Sequence, residues 1–306
     1  MRKIIHGLLI IAALCLVYYI MSGIYIFFAT IVFILSEGFE RFQDTEYFGS
    51  FLINQAIYSI LFSQVVTLLV IYRMYRKRGF NVMMRFKKIS FKQTLISILL
   101  GLVMLGMSTW VVELLYRLSP SIVDNYIESI SGITVSANFF VMFIIFAIMA
   151  PIFEEVLMRG VLFRTFEPTA LSMGLIIILS GVMFGVFHMN IVQGLFAAIG
   201  GILIAYAFYA SGSIWVPIII HGVNNLVSVT FELDFIASLL TGYEDIYAYT
   251  LLLIVILGLP TGLTLLNKTS KKLIRNDKYG RTELDLIQEG LIEVDDEQFD
   301  DFFQTS

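Results

Sequence analysis

Long apolar blocks, rather than one-sided stripes, set the pattern of this chain. Windows wide enough to cross about 30 Å of hydrocarbon fall at 7–34, 50–72, 94–116, 138–163, 170–188, 191–210, 213–231 and 247–266. Each reads as a helix, so the pattern predicts an all-α polytopic membrane protein with about eight transmembrane helices. An even number of crossings puts both termini on one side.

The polar positions between the blocks sort by sign. Of the 20 lysines and arginines, all except Arg41 and Arg117 lie in segments that an inside amino terminus makes cytoplasmic. The positive-inside rule therefore predicts cytoplasmic termini. The opposite loops are acidic, with Glu37, Glu40, Asp44 and Glu46, then Asp124 and Glu128, then Glu232, Asp234, Glu244 and Asp245. Trp110 and Trp215 stand near span ends, where indoles suit the headgroup region. The stretch YRMYRKRGFNVMMRFKKISFKQ fits either adhesion to anionic headgroups or an ordinary positive-inside loop.

Composition agrees. At 58% hydrophobic, 14% charged and a mean hydropathy of +0.86 over 306 residues, the chain is not a soluble domain. Cys15, the one cysteine, excludes a disulfide framework and a Cys-rich metal site and reads as packing. The first apolar run continues from Gly7 without a small-residue cleavage site, so it reads as a retained anchor, with His6 at the interface. After Arg281 no basic residue follows, which predicts a solvated acidic tail. The chain thus divides into 1–136 (three helices and the basic loop), 137–232 (helices four to seven), 233–268 (an outer loop and helix eight) and the tail 269–306. The partners implied are a membrane and not nucleic acid.

Ionisable groups inside a span are expensive and mark function by default. Glu154 and Glu155 interrupt the fourth block, His188 ends the fifth and His221 lies in the seventh. Adjacent residues diverge by about 100° around a helix, so the two glutamates cannot share a target. Glu155 pairs with Arg159 at i, i+4 in the favourable order, and Glu154 is left as the reactive carboxylate. Phe184 packs beside His188 at i, i+4. His221 and Asn225 share a face and together can offer two N–H donors to a developing oxyanion. Asn224 points elsewhere and reads as packing, as do the glycines of GVMFG and Gly194, Gly200 and Gly201. Pro151 weakens the hydrogen-bond ladder just before the carboxylates and makes room for water. With straight helices, His188 falls about 12 Å along the membrane normal from Glu154; tilt, or a submerged turn at HMNIVQG, removes the offset.

Glu154-Glu155-x-x-x-Arg159, Phe184-x-x-x-His188 and His221-x-x-x-Asn225, on successive helices, resemble the CAAX-protease and bacteriocin-processing family of intramembrane proteases (CPBP or Abi type). The matching region is about 138–231. The resemblance implies a helical bundle around a conical intramembrane cavity and endopeptidase chemistry. It implies that Glu154 and His188 hold and activate water, that His221 and Asn225 stabilise the oxyanion, and that Glu155, Arg159 and Phe184 support the site. No cofactor is the favoured expectation. The alternative is one divalent metal such as zinc on Glu154, His188 and His221, although the set lacks a His-Glu-x-x-His pair. The substrate would be a membrane-associated peptide or protein entering from the membrane or the cytoplasmic side. The compact layout, without targeting signals, points to a bacterial plasma membrane and so to a pheromone, leader peptide or immunity target rather than a prenylated tail. Two other readings stand beside the protease: a catalytically silent scaffold or immunity protein binding a membrane partner, and a proton-coupled transporter using Glu154, His188 and His221 as a relay.

Overall fold

A computed structural model describes residues 2–136, 138–167, 169, 171–231 and 241–269. Among these, every regular element is helical: α1 (Arg2–Glu37), α2 (Phe39–Gln43), α3 (Thr45–Tyr75), α4 (Phe80–Met84), α5 (Phe91–Leu118), α6 (Pro120–Ser136), α7 (Phe139–Phe166), α8 (Met173–Phe187), α9 (Ile191–Ser211), α10 (Trp215–Phe231) and α11 (Glu244–Thr269). Each apolar window of the sequence is a helix. Six of them, α1, α3, α5, α7, α9 and α11, are long and apolar enough to cross a membrane. The other two, α8 and α10, have only 15 and 17 residues, about 22 and 25 Å. His188 caps the end of α8 and His221 lies within α10. The expected acidic tail and the loop around Asp234 lie outside the described residues.

Polar side chains start the helices where the apolar blocks begin. Asp44 accepts from the backbone of Glu46 and Tyr47, Ser90 forms a capping box with Gln93, and Asn138, Ser172 and Asn190 cap α7, α8 and α9. Each satisfies N–H groups that a helix start leaves free. Gly212 closes α9 at φ 69°, a left-handed position that favours glycine.

The bundle has a centre and a rim. Half of the apolar window is buried in α7 and in α9, against 17% in α1 and 22% in α11. The main core joins α7, α8 and α9 through residues such as Phe153, Leu157, Phe163, Phe184 and Phe208. Glycines set the closest approaches. A methyl on Gly185 would collide with the Gly194 carbonyl, and one on Gly181 would lie 2.6 Å from the Ile202 nitrogen. The α8–α9 hairpin therefore packs backbone to backbone, as membrane helices do when small residues permit. Gly185→Ala is expected to splay this hairpin and destabilise the fold by about 1–3 kcal/mol. Gly174→Ala, in open space on the same helix, is the control. Thermal unfolding in detergent, followed by circular dichroism, tests both.

Two features depart from the sequence reading. The stretch between α5 and α7, expected as a loop, is the helix α6. The basic stretch after α3 is neither a free loop nor wholly a surface: it forms α4 and then plugs one end of the bundle. Arg85 sits at φ 58° and is buried, its guanidinium donating from Nη1 and Nη2 to Oε1 and Oε2 of buried Glu167 at 2.8 and 3.0 Å. Its carbonyl accepts from Ile214 N–H, the Lys87 carbonyl accepts from Ser213, and the Met83 carbonyl accepts from Arg164. One short segment thus clasps the α7–α8 and α9–α10 connections.

Candidate active site

The carboxylates lie where α7 is irregular. Residues Ala150–Glu155 form an α-helical turn and a half between two π-helical stretches, Phe143–Met149 and Val156–Phe163. Pro151 supplies the reason on the first side. Lacking an N–H, it bonds neither Ala147, four residues back, nor Phe146, five back. Helix α10 fills that gap: Asn225 Nδ2 donates to the Phe146 carbonyl at 2.9 Å, and Gly222 comes so near that a Cβ there would lie 3.1 Å from the Ala147 carbonyl. Bulges of this kind occur at functional sites because they turn side chains out of the ordinary register.

Glu155 and Arg159 are both fully buried. Arg159 Nη1 stands 3.1 Å from Oε1 and 3.0 Å from Oε2 of Glu155, and Nη2 donates to the Gly201 carbonyl at 2.8 Å. Arg159 lies in the bundle interior, where close partners make a guanidinium tolerable, although its Nε is left without one. Its charge also lies over the Phe184 ring, 5.1 Å from the centroid. Glu155 does more than neutralise it. Its Oε1 is 3.0 Å from His221 Nδ1, so one carboxylate fixes both the arginine and the imidazole.

The two histidines are held alike. His188 Nδ1 lies 2.8 Å from the Phe184 carbonyl. A carbonyl and an arginine-paired carboxylate are acceptors, so each Nδ1 carries the proton and each Nε2 is turned inward. Both Nε2 atoms face the same oxygen: Glu154 Oε2 is 4.0 Å from His188 and 3.8 Å from His221. That oxygen is buried and has no hydrogen-bond partner. Phe184 wedges between the rings, edge-on to His188 at 4.8 Å and to His221 at 5.6 Å.

These separations are too long for direct hydrogen bonds and right for one water bonded to two groups. Donors at 2.0–2.1 Å around a tetrahedral zinc stand about 3.3 Å apart. The residue types suit zinc, but the placement is wider, and among the described residues no group of three or more His, Cys, Asp or Glu is arranged to hold a metal ion.

The expected depth offset between Glu154 and His188 is removed by the helix ends. Helix α7 runs three residues further than its apolar window and α8 begins three residues later, together about 9 Å of the expected 12 Å. A tight turn follows α8, with Met189 at φ 53° leading into the Asn190 cap of α9, and Glu154 Oε2 and His188 Nε2 end 4.0 Å apart. Helix α1, read from the sequence only as an anchor, pins this turn: Tyr19 donates to the Phe187 carbonyl at 3.0 Å, and Tyr18 stacks on Phe153 beside the carboxylates. The carbonyls of Phe146, Phe184 and Gly201 carry no sequence signal at all.

The family described as type II CAAX prenyl endopeptidase Rce1-like matches residues 136–227, the stretch from the end of α6 to the last turn or so of α10. That interval contains all three motifs, and the resemblance to the CAAX-protease and bacteriocin-processing family holds for it. The matched segment is similar to that family's core, and the chain around it is an integral membrane protein of long apolar helices. No curated protein and no solved structure matches the chain.

Proposed function

We propose that the protein is an intramembrane endopeptidase that hydrolyses a peptide bond of a membrane-associated peptide or protein. The observation that carries this reading is the convergence of two Nε2 atoms on one unpartnered carboxylate oxygen inside a helical bundle. A water bridging Glu154 Oε2 and His188 Nε2 gives its proton to Glu154 as its oxygen attacks the carbonyl carbon. The oxyanion accepts from the second N–H of Asn225 and from His221 Nε2. His221 donates there as an imidazolium, since Nδ1–H is already given to Glu155, and the charges of Glu154 and Glu155 together balance those of His221 and Arg159. Glu154 then passes its proton to the amide nitrogen, the C–N bond breaks, and the new carboxylate leaves with the water's oxygen. Placing these groups away from bulk water strengthens each interaction.

In this reading α8 and α10 complete eight crossings, and the end clasped by Arg85 and Glu167 is cytoplasmic, as the excess of lysine and arginine there favours. The substrate enters from the membrane or the cytoplasmic side. A bacterial plasma membrane is the proposed location.

The chemistry proposed needs no metal. Purified protein should cleave a membrane-anchored reporter peptide, and exhaustive chelation should change kcat by less than about twofold. Loss of cleavage on chelation, with recovery on adding zinc, would overturn the metal-free mechanism.

A further inference from the structure

Helix α1 adds no residue to the three motifs, and only 17% of its apolar window is buried. Yet Tyr18 and Tyr19 stand side by side near the middle of its apolar stretch Ile4–Glu37. In membrane helices tyrosine is enriched at the interfaces, where its hydroxyl meets water. Within an apolar span a phenolic hydroxyl needs a protein partner instead.

Both tyrosines grip residues next to the reacting groups. The Tyr18 ring stacks on Phe153, with centroids 5.2 Å and planes 15° apart, and meets Phe187 at 5.8 Å. Phe153 and Phe187 lie 6.2 Å from each other, so three rings close a triangle among α1, α7 and α8. Phe153 immediately precedes Glu154, and Phe187 immediately precedes His188. The Tyr18 hydroxyl turns toward Ser63 of α3. Tyr19 meets Tyr18 edge-on at 5.2 Å and donates to the Phe187 carbonyl at 3.0 Å.

That last bond completes the end of α8. A helix leaves its final carbonyls without main-chain donors in the regular ladder. Here His188 N–H turns to the Gly185 carbonyl at 3.2 Å, and Met189 N–H to that of Val186 at 3.1 Å. The shift by one residue opens the Phe184 carbonyl to His188 Nδ1 at 2.8 Å. The Phe187 carbonyl, next in the row, takes its donor from α1. The aim of the His188 ring therefore depends on a helix end tied to another helix. Helix α1 is itself held: a methyl on Gly7 would collide with Thr165 of α7, and Ser22 and Tyr25 donate to Ser59 and Gln55 of α3.

We propose that Tyr18 and Tyr19 are positioning residues of the candidate active site. Tyr18 sets the spacing of α7 and α8, Tyr19 fixes the end of α8, and together they hold Glu154 and His188 at the separation that one water bridges. The proposal rests on the endopeptidase reading of that site.

The test pairs kinetics with a readout that needs no turnover. KM and kcat for the membrane-anchored reporter, and the thermal midpoint in detergent, are measured for wild type, Tyr19→Phe, Tyr18→Leu and Tyr18→Phe. Tyr249→Phe, at an exposed position of α11, is the control. Tyr19→Phe should lower kcat roughly tenfold, as loss of one hydrogen bond does, with KM within about twofold. Tyr18→Leu should lower kcat roughly fivefold, and Tyr18→Phe, which keeps the ring contacts, should restore it to within about twofold of wild type. In parallel, protein labelled with nitrogen-15 histidine is observed by NMR above about pH 8, where imidazole is neutral; the His188 signals are those absent from His188→Ala. Wild type should show one tautomer protonated at Nδ1, and Tyr19→Phe a mixture of both. Wild-type kcat in Tyr19→Phe and Tyr18→Leu overturns the proposal. So does a loss of kcat that follows a fallen thermal midpoint while the His188 signals stay unchanged. Cleavage by wild type leaves the protease reading standing in either case. Without cleavage by wild type the protease reading falls; a mixed tautomer in Tyr19→Phe then still supports the positioning of His188, and an unchanged one overturns that too.

Discussion

Glu154→Gln is expected to lower kcat on the reporter by about 10⁴-fold, the upper end of what a positioned base contributes, with the fold unchanged. Glutamine keeps the shape and one carbonyl oxygen but cannot take the proton of the water that Oε2 and His188 Nε2 hold between them. The side chain is partly open and Oε2 has no hydrogen-bond partner in the protein, so nothing structural is lost with its charge. KM should stay near the wild-type value. His188→Ala belongs to the same experiment and should fall by at least 10²-fold, because the carboxylate alone does not orient the water.

Glu155→Ala is expected to destabilise the protein by about 3–5 kcal/mol, the cost of leaving a buried arginine without its partner. Unfolding in detergent by heat or denaturant measures it. Glu155 and Arg159 are both fully buried, and the same carboxylate holds His221 by Nδ1. The two functions separate in the double variant Glu155→Gln/Arg159→Met. Removing both charges should return most of the stability, since buried ion pairs exchanged for neutral groups are often nearly neutral in effect. Activity should remain depressed by about 10²-fold or more, because an amide does not compensate an imidazolium at the oxyanion. A double variant as active as wild type would reduce Glu155 to a structural partner.

The sequence announced the apolar helices, the different surroundings of the two glutamates and the pairing of Glu155 with Arg159, because apolar length and i, i+4 spacing are local properties. It also marked Pro151 as a break in α7. It did not show that Asn225 bonds the carbonyl which that proline leaves free, since backbone acceptors have no letter of their own. The offset between Glu154 and His188 was an artefact of equal-length straight spans; a 15-residue α8 ending in a tight turn cannot be separated by hydropathy from a longer one. Helix α6 escaped because its composition is mixed and acidic, like a loop. The ion pair of Arg85 and Glu167 joins residues 82 positions apart, and nothing in either neighbourhood names the other.

The central claim is that a water held between Glu154 and the imidazoles, and not a metal or a covalent enzyme intermediate, attacks the substrate. Cleavage of the reporter by purified, chelated protein in oxygen-18 water, followed by mass spectrometry of both fragments, tests it most directly. The mechanism expects a single cut, one heavy oxygen in the new carboxylate, and neither product from Glu154→Gln. Cleavage by Glu154→Gln at the wild-type rate, or a fragment left covalently attached to the protein, would contradict it.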